Sequence, residues 1–213
     1  AEDPIEYEMP GINQVLVRQD IGLTFARALR AFLRQDPDII MVGEIRDGET
    51  AEIAINASLT GHLVFSTLHT NDAAGAFARL IDMGAEPFLV ASAVAGVMAQ
   101  RLVRRLCPKC KREVPLDMKW YDLPYPPASQ KVWVPEGCEA CTRTGYRGRG
   151  GLFELLVVTE DIESLIIGRR SSNEIRDAAI KHGLKTLRED GWLKAFKGMT
   201  SVEEVMRVTE ENA

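Results

Sequence analysis

Leu33-Arg34-Gln35-Asp36-Pro37-Asp38-Ile39-Ile40-Met41-Val42-Gly43-Glu44-Ile45-Arg46-Asp47 is the stretch from which the fold class is read. The apolar run Ile39–Val42 is bounded by Pro37 and Gly43, which predicts a short strand buried in a parallel sheet. Open α/β sheets place their ligands at the C-terminal rim of such strands. Glu44, just past that end, is therefore positioned to polarise a water or handle a metal-bound phosphate. No G-x-x-x-x-G-K-S/T loop occurs anywhere in the 213 residues.

Working outward, the first segment (1–104) alternates strand and helix patterns, which predicts a three-layer α/β core. Thr24 is an expected cap for a helix through Phe25, Leu29, Phe32 and Leu33. An Ala-rich helix is expected from Glu49 to Leu59, stopped by Gly61. A second strand follows at Leu63–Thr67. Asp72 is read as the cap of a helix ended by Gly84, and Pro87 as the opening of another helix from Phe88 to about Leu102. The second segment (105–149) holds all four cysteines and Pro124-Tyr125-Pro126-Pro127, which can be neither helix nor central strand. The third (150–213) is expected to be mainly helical after a strand at Leu152–Val158. Ser171-x-x-Glu174 and Ser201-x-x-Glu204 are read there as capping boxes, with Gly183 as a helix stop.

The net charge of −5 argues against a chain that binds nucleic acid through bulk charge. No apolar run reaches the roughly 18 residues a membrane-spanning helix needs. The chain opens on Ala1-Glu2-Asp3-Pro4 without Met, which reads as a cut inside a larger protein.

Cys107-x2-Cys110 and Cys138-x2-Cys141 form two knuckles separated by 27 residues. Each knuckle offers two thiolates on one turn, and the pair closes a four-ligand site with no open position, which suits structural zinc in a reducing compartment. Gly145-Tyr146-Arg147-Gly148-Arg149 is read as a solvated basic turn, with an anion- or partner-docking edge as the sharper alternative. His62 and His69 bracket the second strand at opposite ends, so a shared metal site is not expected. His69 falls on the rim of Glu44 if the strands are parallel neighbours, either as a phosphate-side group or as a hydrogen-bonded turn histidine. Glu2, Asp3 and Glu6 are either a solvated chain end or an acidic segment able to bind Mg²⁺ through water.

Taken together, these motifs resemble those of the secretion ATPases that drive type II secretion and assemble type IV pili. Glu2-Asp3-Pro4-Ile5-Glu6-Tyr7 looks like the family's aspartate box, and residues 33–47 like its Walker B motif. Thr60-Gly61-His62 through His69-Thr70-Asn71-Asp72 look like its histidine box. Cys107-Pro108-x-Cys110 and Cys138-x2-Cys141, followed by Thr144–Arg149, look like its tetracysteine motif. The resemblance implies a partial RecA-like P-loop NTPase core (1–104), a zinc insert (105–149) and a C-terminal helical region (150–213). It implies a homo-hexameric motor using ATP and Mg²⁺, with Glu44 as general base or water-orienting residue. Glu2, Asp3 and Glu6 would approach Mg²⁺ and the attacking water, His69 would lie on the γ-phosphate side, and His62 belongs to the nucleotide-facing box. Gly43 stands where many P-loop enzymes carry a magnesium-binding aspartate.

The implied partners are inner-membrane platform and cytoplasmic-ring proteins of a secretion or pilus machine. The implied location is cytoplasmic, with membrane association only through those partners and no nucleic acid. The family's phosphate-cradling loop precedes the aspartate box, so this chain alone is expected neither to bind ATP tightly nor to hydrolyse it. A non-catalytic, zinc-stabilised docking module is the alternative reading.

Overall fold

A computed structural model describes residues 1–116 and 131–209. The proline cluster Pro124–Pro127 lies outside the described residues. The chain divides into two compact units. One comprises Ala1–Thr70, Ala74–Val97 and Val157–Ala179, and the other Asn71–Ala73, Met98–Leu156 and Ile180–Ala213.

In the first unit, α1 (Phe25–Phe32) is capped as expected, the Thr24 hydroxyl accepting the Arg27 amide, with Phe25 and Leu29 buried. β1 (Ile39–Val42) leads through Asp47, the cap of α2 (Gly48–Leu59), into β2 (Leu63–Ser66). β1 and β2 are parallel, in the register Ile39–Leu63 to Val42–Ser66. Ile40 and Val42 are buried, whereas Ile39, Met41, Leu63 and Phe65 are exposed. The strand expected to be buried on both faces is thus covered on one, and the described residues supply no second helical layer. Gly61 takes a positive φ of 105° just past α2, the left-handed stop predicted for it. Gly48 is required by a close approach, since a Cβ there would lie 2.3 Å from the Met83 carbonyl oxygen.

Three expectations are corrected here. The helix α3 (Gly75–Asp82) has Ala74 at its N-cap position, two residues beyond the Asp72 expected there. The helix opened by Pro87 is short: α4 (Pro87–Ala93) ends in extended Val94, and residues 96–106 form β3 (Gly96–Leu106). Met98–Leu102 favour helix intrinsically, but pairing with a distant strand outweighs that preference. Tyr146–Arg149 is the start of that partner strand, β6 (Tyr146–Val157), rather than a solvated turn. The first unit closes with α5 (Glu160–Ile167) and most of α6 (Ser172–Lys181), whose Ser171–Glu174 box forms in both directions at 3.0 and 3.3 Å.

The second unit pairs β4 (Arg112–Pro115) with β5 (Lys131–Val134), antiparallel. These strands enclose one buried cluster, Leu116, Val132, Trp192, Ala195, Val202 and Val205, with α7 (Leu187–Phe196) and α8 (Val202–Thr209). α7 carries a capping box, Thr186–Glu189, that the sequence reading did not note. The Ser201–Glu204 box is half formed. The Glu204 amide donates to the Ser201 hydroxyl at 3.3 Å, but the carboxylate turns instead to Arg104 and Arg207.

Candidate functional site

The β1–α2–β2 crossover brings two strand ends to one rim, and their pairing continues past the strands. The Ile45 amide donates to the Thr67 carbonyl at 3.0 Å, and the Thr67 hydroxyl donates to the Gly43 carbonyl at 2.6 Å. Residues 43–45 therefore run beside 67–69. This sets Glu44 against His69, with Oε2 and Nε2 3.3 Å apart. Arg46 pairs with the other carboxylate oxygen. Glu44 is 9% exposed, while the His69 and Arg46 side chains are largely open to solvent. The result is a shielded carboxylate with a movable cation on one oxygen and an imidazole on the other, suited to hold a water and take its proton.

On the opposite edge of β1, the Ala1 amino group donates to the Met41 carbonyl and the Ala1 carbonyl accepts the Gly43 amide, both at 2.8 Å. Glu2 follows, paired through its backbone with Val15 and Val17 and through Oε1 with the Gln14 amide at 2.7 Å. Its Cα lies 3.4 Å from where a Gly43 Cβ would stand, so the acidic segment passes beside the Glu44 turn. Asp3 and Glu6 are exposed, with no hydrogen bond to Glu44 among the described residues. His62 lies at the other end of β2, its Nδ1 3.0 Å from the Ala57 carbonyl at the close of α2.

In the second unit the four cysteines converge. Their sulfurs all lie within 4.8 Å of one another, with Cys107–Cys138 at 4.0 Å and Cys110–Cys141 and Cys138–Cys141 at 3.8 Å. A tetrahedral ion with metal–sulfur bonds of about 2.3 Å needs sulfurs about 3.8 Å apart, so the donor set fits zinc. Backbone amides of Cys138 and Gly145 donate to Cys141 Sγ at 3.1 and 3.2 Å. They hold that thiol down at about 6, whereas burial pushes Cys110 up to about 12.

Two carboxylates are buried in ways the local sequence does not predict. Glu154 sits on the inward face of β6 between Leu152 and Leu156, and this lone charge at an inward position of an alternating strand was a usable signal. Glu204 was read as a cap, and nothing local announces its partner Arg104.

The family model described as "Type II/IV secretion system protein" matches residues 1–207. The chain belongs to this family. Among its secretion-family relatives, the type IV pilus assembly ATPase PilB of Thermus thermophilus is 54% identical over 99% of the chain and 24% of its own length. The type II secretion system protein HxcR of Pseudomonas aeruginosa is 52% identical over 99% of the chain and 42% of its length. The type II secretion system ATPase E of Vibrio cholerae is 50% identical over all of the chain and 42% of its length. The chain thus spans less than half of these curated relatives. Among solved structures, the pilus retraction motor PilT with bound ADP aligns over 99% of the chain and 52% of its own, at 28% identity and TM-score 0.70. The Legionella pneumophila ATPase DotB shares the fold at TM-score 0.59 and 24% identity, over 87% of the chain and 42% of its own. The secretion-family chain is α/β, like these RecA-like neighbours. Among its described residues no helix is long and apolar enough to cross a membrane.

Proposed function

We propose that this chain is the C-terminal part of an ATP-hydrolysing motor for type II secretion or type IV pilus assembly. The carrying observation is the Glu44–His69 contact across the parallel β1–β2 rim, 3.3 Å wide, with Arg46 on the other carboxylate oxygen. Glu44 orients the attacking water and accepts its proton, which requires Arg46 or His69 to release one oxygen. His69 faces the γ-phosphate side, where developing charge on the transferred group is greatest. Glu2, Asp3 and Glu6 serve the Mg²⁺ and water side, and His62 holds the far end of the box. Bound with the nucleotide phosphates, Mg²⁺ would supply charge neutralisation on that side.

The organisation is a partial RecA-like core (1–104), a tetracysteine module (105–149) and a helical region (150–213). In the second, Cys107, Cys110, Cys138 and Cys141 hold a structural Zn²⁺ whose chemistry is cross-linking, with no open ligand position. The intact motor is a homo-hexamer. It docks on inner-membrane platform and cytoplasmic-ring proteins from the cytoplasmic side, touching the membrane only through them. Without a phosphate-cradling loop the 213-residue chain does not turn over ATP by itself.

The test joins the chain to the P-loop segment of its longer protein and measures phosphate release. Glu44→Gln is expected to lower kcat by on the order of 10²–10⁴-fold, the usual worth of a general base. Unchanged turnover would remove Glu44 from the mechanism. Turnover by the 213-residue chain alone would overturn the expected dependence on the loop.

A further inference from the structure

The acidic segment at the start of the chain is held by one side chain. Among the described residues, Asp3 to Glu8 form no backbone–backbone hydrogen bond, and no ion pair holds Asp3, Glu6 or Glu8. Gln14 spans this gap. Its Nε2 donates to Glu2 Oε1 at 2.7 Å and to the Tyr7 carbonyl at 2.9 Å, while its Oε1 accepts the Met9 amide at 2.8 Å. Both N–H groups and the oxygen of the carboxamide are thus in use. Turned over, the amide would set its oxygen against a carboxylate and a carbonyl, so the three bonds select one orientation. All of these residues lie in the first unit, with Glu44 and His69.

The base of Gln14 is fixed where the segment is not. Two residues on, Leu16 bridges Glu2 in parallel. The Glu2 amide donates to the Val15 carbonyl at 3.0 Å, the Val17 amide donates to the Glu2 carbonyl at 2.9 Å, and Val17 is buried. On the other edge of the same segment, the Gly43 amide donates to the Ala1 carbonyl at 2.8 Å. Gln14 is therefore tied by backbone to the strand ends that carry the Glu44 turn. It is half-buried, whereas every residue from Glu6 to Asn13 is exposed. Its carboxamide acts on Glu2 directly and on Glu6 through the adjoining Tyr7, so one group sets both ends of the acidic segment.

We propose that Gln14 is a positioning residue for the acidic segment. By clamping Glu2, Tyr7 and Met9 together it holds the carboxylates of Glu2 and Glu6 at the rim on which Glu44 stands. All three of its bonds go to the segment, so it acts through those carboxylates. The inference rests on the reading of Glu2, Asp3 and Glu6 as serving the water side of that rim. Gln14→Ala removes all three bonds and leaves 3–8 tethered only at its ends. Loosening the segment misplaces its carboxylates, and misplacement on the order of 1 Å costs up to about 10²-fold in rate. ATP affinity, supplied mainly by the phosphate-cradling loop upstream, is expected to change little. The core is untouched, because the freed residues are exposed.

The experiment is a double-mutant cycle in the longer, P-loop-bearing protein, using Gln14→Ala, Glu6→Gln and both together, with kcat and KM for ATP measured separately. Amide exchange at Met9 is followed in the same protein without nucleotide. Gln14→Ala is expected to speed that exchange and to lower kcat by about 10–10²-fold with KM nearly constant. On the Glu6→Gln background it is expected to add little, because the two residues act as one unit. If Gln14→Ala does not fold, Gln14→Asn, which keeps the carboxamide one methylene short, carries the same cycle with a smaller loss. Fully additive losses would make Gln14 a merely structural residue and overturn the proposal, as would faster Met9 exchange with unchanged kcat, or Met9 exchange that ignores the substitution. A wild type without Glu44-dependent turnover overturns both the site reading and this inference. Turnover that falls on Glu44→Gln and Glu6→Gln but ignores Gln14→Ala overturns this inference alone.

Discussion

Gly43 sits between the last buried residue of β1 and Glu44, and the space beside it belongs to the first residues of the chain. A Cβ there would stand 3.1 Å from the Ala1 carbonyl oxygen and 3.4 Å from the Glu2 Cα. The Gly43 amide donates to that same carbonyl, so the carbonyl cannot retreat without breaking the bond. This packing gives a physical reason for a glycine where many P-loop enzymes have a metal-binding aspartate. Gly43→Ala is expected to cost about 1–2 kcal/mol through overpacking. Gly43→Asp should cost more, with a carboxylate against a carbonyl oxygen, and urea midpoints of the two variants rank them. Glu204 makes a different residue-scale prediction. It is 1% exposed and accepts the Arg104 amide at 3.0 Å, the Arg104 guanidinium at 2.7 Å and the Arg207 guanidinium at 2.6 Å. Burial pushes its carboxyl up, but the bonds from Arg207 and Arg104 outweigh burial and bring it from 4.5 to about 2. Because the folded value lies below the unfolded one, the stabilisation is fully present above about pH 4.5 and is lost as pH falls through about 2. The shift corresponds to on the order of 3 kcal/mol. Urea midpoints taken from pH 7 down to 3 should fall, and Glu204→Gln should flatten that fall while lowering the midpoint at pH 7.

At the scale of elements, Asp47 is the joint between the Glu44 turn and α2. Its carboxylate accepts the Thr50 amide at 2.8 Å and the Thr50 hydroxyl at 3.1 Å, and Thr50 is buried. Asp47→Ala is therefore expected to cost about 1–2 kcal/mol, the range for a lost N-cap, read as a lower thermal midpoint. The same element shows why part of the fold was legible. Thr24 before an apolar helical period, Gly61 after α2, and Ile39–Val42 ending at Glu44 are signals contained within a few residues. Glu44 and His69 could be set on one rim once β1 and β2 were taken as parallel neighbours, because a βαβ unit puts both strand ends on the same side. β3 was not legible, since residues 96–102 carry a helical preference and their extended state depends on β6, some fifty residues on. Glu154 and Glu204 failed for the same reason: their partners lie 81 and 100 residues away, and a short window shows only a carboxylate and, for Glu204, a convenient serine.

Over the whole molecule, the exposed apolar side chains Ile39, Met41, Leu63 and Phe65 on one sheet face accord with a chain that spans less than half of its curated relatives. In the second unit Leu116, Val132, Trp192, Ala195, Val202 and Val205 form one buried cluster, and its β4–β5 pair is a two-stranded sheet of a kind that is marginal by itself. Two features join the cysteine knuckles to that core. The Lys111 ammonium donates to the Gly198 carbonyl at 2.8 Å and lies 4.5 Å over the Trp133 ring. Gly198 in turn has no room for a Cβ, which would stand 2.7 Å from that ring. A metal joining Cys107 and Cys110 to Cys138 and Cys141 cross-links the two ends of the segment carrying β4 and β5, so its binding energy becomes folding energy for this unit. Chelation of the purified, zinc-loaded protein is expected to release about one ion per chain, the capacity of one four-thiolate site. It should also expose four reactive thiols, red-shift the emission of Trp133, and lower the melting midpoint of the second unit by on the order of 5–10 °C. Cys138→Ser should reproduce the loss without chelator. Four thiols that react freely before chelation, with no ion released, would leave the knuckles held by their backbone bonds alone and take the metal out of the account of this unit's stability.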